Sequence, residues 1–262
     1  MRNGEGGSLQ SVTRALRSLE LIAEAGELGV TELGRRLDVH KATASRLAAT
    51  LAERGFLERD PATERYRLGF GIVCLAGAAM ASLDLVRTAR PVLEDLAERT
   101  RETVNLGVLS GHAVVYLDQA SGARSIVSVN WVGRRTPLHN TAAGKVLLAY
   151  MDQAERERCL GEALERSTPD TIVDPDVLRE QLRTVLVRGY AQTLEELEEG
   201  LNAVAAPIRQ ADGAVVAAVS VSGPAFRMRS VDLPRVARLT VDAGTAVSHR
   251  LGYAERRRSA GG

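Results

Sequence analysis

The sequence predicts an α+β protein whose two parts are built differently. Between residues 11 and 54, apolar side chains recur at the three-and-four spacing of amphipathic helices, and two short polar strands follow. Beyond residue 100, apolar runs of strand length alternate with helical stretches, and tight hairpins outnumber possible parallel crossovers. These observations favour a small helical part with a hairpin, followed by an antiparallel sheet flanked by helices.

The first part begins with two predicted helices. Apolar residues from Val12 to Ala23 recur on one face of the first helix, which the segment "AGELG" ends. Thr31 is the predicted N-cap of a short second helix that buries Leu33 and Leu37. Both helices therefore direct an apolar stripe towards a common core.

A third helix is predicted over residues 41 to 54, and its two faces differ in chemistry. At about 100° per residue, the larger apolar side chains gather on one side and small or polar ones on the other. The second side consists of Ala42, Ser45, Arg46, Ala49 and Thr50. The segments "FLER" and "RYRL" follow as two strands joined by a turn at "DPATE".

Three helices followed by a hairpin are typical of a winged helix-turn-helix, whose third helix enters the major groove of DNA. The groove is about 12 Å wide, so small outer side chains let the helix approach closely. Lys41 and Arg46 are then expected to reach phosphates or guanine edges, and the hairpin arginines Arg59, Arg65 and Arg67 to hold phosphates beside the groove. The alternative is a solvated surface, which is the usual explanation for a polar helix face.

Later elements are predicted from the same patterns. An apolar stretch rich in small residues, 69 to 90, is expected to form a linker helix, and Pro91 to begin another helix. Predicted strands are "TVNLGVLS", "AVVYLDQ", "SIVSVNWV", "NAVAAPIRQ" and "AVVAAVSVSG". Predicted helices are "AAGKVLLAYM" and residues 153 to 163, 175 to 188 and 233 to 251. The expected domains are 9–68, the linker 69–90 and 91–252, with a disordered tail at 253–262.

Composition limits the classes of function. The 262 residues carry a formal net charge of +1, so contact with nucleic acid must depend on local placement of charges. With no long apolar run and no signal-peptide pattern, we expect a cytoplasmic protein without a membrane partner. The two cysteines are far apart, which argues against a disulfide framework or a zinc site.

No catalytic motif is complete, and no cofactor is expected. The segment "HNTAAGKV" has His139 and Val146 where a phosphate-binding loop needs glycine and Ser or Thr. Lys145 is expected to cap a helix, pair with an acid or face solvent. The four histidines lack metal-ligand spacing, and Ser220 and Ser222 lie outside a GxSxG elbow. The alternative function class is nevertheless a sensor or small-molecule enzyme whose winged domain mediates protein contacts.

Ordered motifs over residues 9 to 252 resemble the IclR family of bacterial transcription regulators. In the first part these are "RAL..LE", "TELGRRL", "KATASRL..TL..RGFL" and "YRLG". In the second part they are "ETVNLGVLSG", "VVYLD", "VGRRTPLHNTAAGKVLLA", "RGYAQTLEELEEGLNAVAAPI" and "AAVSVSGP". The resemblance implies a winged helix-turn-helix that binds a DNA operator, and a GAF-like domain that binds a small-molecule effector.

The resemblance also implies roles for residues of the first part. Lys41, Thr43, Ser45 and Arg46 are the expected base or phosphate contacts, with Arg14 and Arg65 as flanking phosphate contacts. Family members act as dimers, often paired into tetramers, so we expect a homodimer or a dimer of dimers. A twofold dimer would read a palindromic operator.

In the second part, the resemblance places a carboxylate effector at the start of the "TAAGK" helix and on the last two strands. The backbone amides of Ala142 and Ala143 lie at a helix N-terminus, which suits an anion. Ser220 and Ser222 are two residues apart, so both hydroxyls lie on one side of a strand. Trp131 is expected either to line this pocket or to be a buried core residue.

Two departures from the family pattern bear on the effector. Relatives that bind small acids have Asp at the position of Thr193 and Cys at the position of Ala203. A hydroxyl and a methyl group in their place make the pocket less polar. The sequence therefore favours a larger or more apolar carboxylate, such as an aromatic one, over an acid the size of glyoxylate.

Overall fold

The computed structural model describes residues 10–81, 84–122 and 130–254. They form two compact units, one on each side of the boundary between Leu83 and Asp84. The predicted strand at 125–132 and the predicted disordered tail at 253–262 lie mostly outside the described residues.

The described part of the first unit consists of helices around a small antiparallel sheet in which β3 is the middle strand. Its helices are α1 (Gln10–Ala25), α2 (Val30–Arg36), α3 (Lys41–Glu53) and α4 (Phe70–Ala81). Its strands are β1 (Glu27–Leu28), β2 (Leu57–Arg59) and β3 (Tyr66–Leu68). The hairpin of β2 and β3 was predicted, whereas β1 was not, because two residues are too short to show a period.

The core of the first unit is small and tightly packed. Ile22, Leu33, Ala44 and Ala48 are completely buried, so α1, α2 and α3 share one apolar centre. Two details differ from the prediction. The N-cap of α2 is Gly29 rather than Thr31. On α1, Val12 and Leu16 are exposed, because the buried residues of this helix lie in its C-terminal half.

The second unit is built on an antiparallel sheet with the strand order β6-β5-β4-β9-β8-β7. The strands are β4 (Thr103–Ser110), β5 (Ala113–Ser121), β6 (Arg135–Pro137), β7 (Ala191–Leu194), β8 (Leu201–Arg209) and β9 (Val215–Pro224). The helices are α5 (Asp84–Thr100), α6 (Ala142–Tyr150), α7 (Gln153–Gly161), α8 (Pro175–Arg188) and α9 (Leu233–Arg250). The strands β6 and β7 were not predicted, since both are short and flanked by loops.

The predicted linker helix, 69–90, includes residues 82 and 83, which lie outside the described residues. The described part of this range contains the whole of α4 and the first residues of α5, and Pro91 lies inside α5 rather than at its start. Proline is usually tolerated only in the first turn of a helix. The α5 residues that follow Pro91 are buried against the sheet. Their packing therefore outweighs the unfavourable effect of a proline inside the helix.

The sheet of the second unit has two chemically different faces. The face covered by α5 and α9 carries branched aliphatic side chains such as Val104, Leu106, Val219 and Val221, all completely buried. The face covered by α6 and α8 carries smaller residues, including Ala205 and Ala218. Because side chains alternate along a strand, one set of strands supplies both faces.

Candidate functional site

The outer face of α3 is open to solvent. Lys41, Ser45 and Arg46 are exposed and Thr43 is half-buried, while Ala44 on the opposite face is buried. Neither Lys41 nor Arg46 has a carboxylate within ion-pair distance in the described part of the chain. Both cations are therefore available to an external anion.

Arg14 of α1 lies close to this surface. Arg14, Thr43 and Arg46 line one groove between α1 and α3. The structure thus brings together residues that are 32 positions apart in the sequence. Both arginines are on the same side of the unit as the exposed face of α3.

The hairpin arginines, which are predicted to hold phosphates beside the groove, each face a glutamate. Arg59 lies 2.7 Å from Glu64, and Arg67 lies 3.1 Å from Glu58. Both pairs are more than half exposed, so each contributes little free energy. A phosphate can therefore replace the glutamate as the partner of either arginine.

Arg65 is more firmly held than the other two hairpin arginines. It lies 2.9 Å from the Glu27 carboxylate and donates a hydrogen bond of 3.1 Å to the Glu27 carbonyl oxygen. These contacts join β3 to β1. The side chain predicted to bind phosphate is thus engaged in holding the hairpin.

In the second unit, a cavity lies between the sheet and the start of α6. Its volume is about 30 Å³. All seven residues predicted to bind an effector line this cavity, together with five residues that were not predicted. The first group is Trp131, Ala142, Ala143, Thr193, Ala203, Ser220 and Ser222, and the second is Asn105, Tyr116, Thr141, Leu197 and Leu201.

The N-terminus of α6 forms one wall of the cavity. Thr141 is the N-cap, and its hydroxyl accepts a hydrogen bond of 3.1 Å from the Gly144 amide. Gly144 is required here because a Cβ would collide with the Leu138 carbonyl oxygen. The amides of Ala142 and Ala143, in the first helical turn, have no intrahelical acceptor and are suited to an anion.

Polar groups of the sheet form the opposite wall. Cross-strand pairing places Ser220 beside Asn105, and Ser222 beside Ala203. Thr193 pairs with Ala203 from the next strand. No lysine, arginine or histidine is among the described residues that line the cavity. A bound carboxylate would therefore be held by amides and hydroxyls.

Trp131 closes one side of the cavity. It is half-buried, and its ring meets the Tyr116 ring edge-on with 6.0 Å between centroids. Trp131, Leu201 and Ser222 also line a neighbouring cavity of about 190 Å³. Of the two alternatives for this tryptophan, the structure places it at the cavity, between an inner and an outer space.

Lys145 is buried on the inner side of α6. Its ammonium group lies 2.6 and 2.7 Å from the two carboxylate oxygens of Glu196 and 2.7 Å from Oε1 of Gln181. Burial lowers the pKa of Lys145 and raises the pKa of Glu196, and their mutual attraction opposes both shifts. The ion pair ties α6 to the segment after β7 that includes the cavity residue Leu197.

Both units match models of a single protein family. Residues 11–61 match the IclR helix-turn-helix domain. Residues 77–249 match the C-terminal domain of the bacterial transcriptional regulator IclR. The chain belongs to the IclR family.

Relatives in the IclR family are similar to this chain in sequence and fold over more than nine-tenths of its length. The transcriptional regulator BhcR of Paracoccus denitrificans is 38% identical over 245 residues, which is 93% of this chain and 88% of that protein. The crystal structure of an IclR regulator from Alicyclobacillus acidocaldarius has a TM-score of 0.83 at 29% identity, covering 94% of this chain and all of that one. An IclR homologue of Microbacterium hydrocarbonoxydans complexed with 4-hydroxybenzoate has a TM-score of 0.82 at 28% identity, covering 92% and 98% of the two chains.

Family membership gives each unit its general role. The first unit is the DNA-binding helix-turn-helix domain and the second is the effector-binding domain of a transcriptional regulator, not of an enzyme. Across residues 10–81, 84–122 and 130–254, every helix is too short or too polar to cross a lipid bilayer.

Proposed function

We propose that the first unit binds a palindromic operator as part of a dimer, with α3 in the major groove. The supporting observation is the open face of α3, where Lys41, Ser45 and Arg46 are exposed. Thr43 and Arg14 lie at the edge of this face, in position to contact the adjacent phosphates. Arg59 contacts phosphate after releasing its exposed pair with Glu64.

Arg46→Ala tests this placement of α3. Loss of a base or phosphate contact is expected to weaken operator binding by about 1–3 kcal/mol and to reduce the salt dependence. A mobility-shift titration over several salt concentrations measures both. Arg17→Ala is the matched control, because Arg17 is an exposed arginine of the same unit that pairs with Glu20. Equal effects of the two substitutions would contradict the proposal.

Two hairpin arginines give a further test of which side chains contact DNA. Arg59→Ala should reduce the salt slope and leave the unfolding temperature unchanged. Arg65→Ala should lower the unfolding temperature of the first unit, because it removes the link to Glu27. If the hairpin serves protein contacts instead of DNA, neither substitution will change a mobility shift on the promoter beside the protein's own gene.

We propose that the second unit senses a small organic acid whose carboxylate binds the amides of Ala142 and Ala143, and aromatic acids are the first candidates. Thr193, Ser220 and Ser222 supply hydroxyls around it, and Ala203 leaves room for an apolar group. A cavity of about 30 Å³ holds only a few atoms, but the neighbouring 190 Å³ is sufficient for a ring once Trp131 moves. The homologue complexed with 4-hydroxybenzoate supports an acid of this size.

Ala142→Pro tests the carboxylate site. Proline is compatible with the first helical position but has no amide proton. The substitution should abolish the thermal stabilisation that benzoate or a hydroxybenzoate produces, without unfolding α6. Trp131 is the only tryptophan, so its fluorescence reports binding directly. Undiminished binding by the proline variant would exclude these amides as the anion site.

Effector and operator binding are expected to be coupled through residues 69–90. Phe70, Val73 and Leu75 of α4 are largely exposed apolar side chains. Replacing Phe70 and Val73 with Gln should preserve acid binding and operator binding separately but reduce the release of operator that the acid causes. An unchanged acid response of the mobility shift would rule out this route.

A further inference from the structure

Asn105 is a buried polar residue that neither the sequence motifs nor the carboxylate site explains. It lies in β4, near the middle of the sheet, and only 2% of its surface is exposed. Its side chain lines the cavity and stands beside Ser220 of the neighbouring strand.

The two polar atoms of the Asn105 side chain are not equally satisfied. Its Nδ2 donates a long hydrogen bond of 3.5 Å to the Ser222 hydroxyl. Its Oδ1 is buried and receives no hydrogen bond from any residue that the structure describes. A buried acceptor without a donor destabilises the folded state.

A second buried asparagine in the same sheet shows the contrast. Asn202 of β8 accepts a hydrogen bond of 3.0 Å from the Glu195 amide and donates one of 2.8 Å to the Met228 carbonyl oxygen. Both of its polar groups are used within the protein, and it does not line the cavity. Asn202 is therefore structural, whereas Asn105 lines the cavity and retains an acceptor without a partner among the described residues.

We propose that Asn105 determines effector specificity: its Oδ1 accepts a hydrogen bond from a hydroxyl or amino group of the bound acid. The inference depends on the carboxylate site proposed above and extends it. The effector would then be a hydroxy or amino acid. The amides of α6 bind its carboxylate, and Asn105, beside Ser220 and Ser222 on the opposite wall, accepts the hydrogen bond from its hydroxyl or amino group.

Such a site distinguishes between acids that differ only in a hydrogen-bond donor. An acid without the donor leaves Oδ1 buried and unpaired, whereas an acid with the donor satisfies it. A single hydrogen bond of this kind corresponds to about tenfold in affinity.

The experiment compares matched acids on the full-length protein. Benzoate is measured against 2-, 3- and 4-hydroxybenzoate and the aminobenzoates, and propionate against 2-hydroxypropionate, by tryptophan fluorescence and operator release. We expect at least one donor-bearing acid to bind about tenfold more tightly than its parent acid. In Asn105→Leu the ratio between the affinities for the donor-bearing acid and its parent acid should fall to about one.

Stability measurements separate a specificity role from a structural one. Asn105→Leu removes an unsatisfied acceptor, so the unfolding temperature should stay the same or rise. Asn202→Leu is the matched control and should lower it, without changing the preference for donor-bearing acids. If Asn105→Leu does not fold, Asn105→Ala is measured in the same way.

The outcomes distinguish this inference from the proposal on which it rests. If parent and donor-bearing acids bind equally, or if the preference survives in the Asn105 variants, the specificity role is wrong and the carboxylate site stands. If none of the acids binds, the carboxylate site is wrong and the inference fails with it.

Discussion

The two faces of the central sheet in the second unit come from the same strands but differ in composition. Towards α5 and α9, β4 directs Val104 and Leu106 into a dry core, and both side chains are completely buried. Towards α6, the same strand directs Asn105, which has an unpaired buried oxygen. One face stabilises the fold, and the other has looser packing and an unsatisfied hydrogen-bond acceptor around the cavity.

On the α6 side of the sheet, Lys145 of α6 and Glu196 of the segment after β7 form a buried ion pair, and breaking it should strongly destabilise the protein. Lys145→Ala leaves the Glu196 carboxylate buried and unpaired, so we expect a loss of about 3–5 kcal/mol. Chemical denaturation measures it. Arg183→Ala is the control, since Arg183 forms an exposed pair with Glu180 and should change stability by less than about 1 kcal/mol. Similar losses in both variants would show that burial of the pair is unimportant.

The aliphatic face gives the next largest expected effect. Leu106→Ala removes a completely buried side chain and should cost about 2–5 kcal/mol, depending on how far the core relaxes. Leu109→Ala on the same strand is the control, because Leu109 is more than one-third exposed. Acid binding by folded Leu106→Ala should remain, since this side chain points away from the cavity.

Ser220→Ala should show the opposite behaviour to Leu106→Ala. Ser220 is buried beside the cavity, and loss of its hydroxyl should cost less than about 1.5 kcal/mol of stability. Affinity for the effector acid should fall by up to about tenfold. Fluorescence titration and thermal unfolding of the same sample measure the two effects. A large loss of stability with unchanged affinity would remove the distinction between the faces.

The smallest expected effect is a dependence of stability on pH near α6. Burial lowers the pKa of His139, opposed by its hydrogen bond of 2.9 Å to the Glu165 carbonyl oxygen. Below the ordinary histidine pKa, about 6.5, the unfolded state therefore binds more protons than the folded state, and stability falls as pH falls. His139→Gln should flatten this dependence between pH 7 and pH 5. His249→Gln, at an exposed position of α9, serves as the control, and equal slopes in all three proteins would contradict the assignment.

Much of the fold was predictable because a strong period of apolar residues is compatible with only one type of secondary structure. The strand "TVNLGVLS" and the helix at 175–188 have the predicted limits, since each ends at clear turn or cap residues. The winged helix-turn-helix and the antiparallel sheet were also predicted. Short elements and the start of α5 were not, because packing rather than local preference determines them.

The sequence by itself determined which residues form the outer face of α3 and which motifs surround the effector cavity. Local spacing is sufficient for the outer face of α3, because it acts within one helix, whereas the motifs around the cavity were indicated by the resemblance to the IclR family. Only the tertiary structure decided that the hairpin arginines face glutamates, that Lys145 is buried against Glu196, and that Asn105 retains an unpaired acceptor. Each of these depends on a partner from a distant part of the chain, and the chemistry of one residue does not specify its partner.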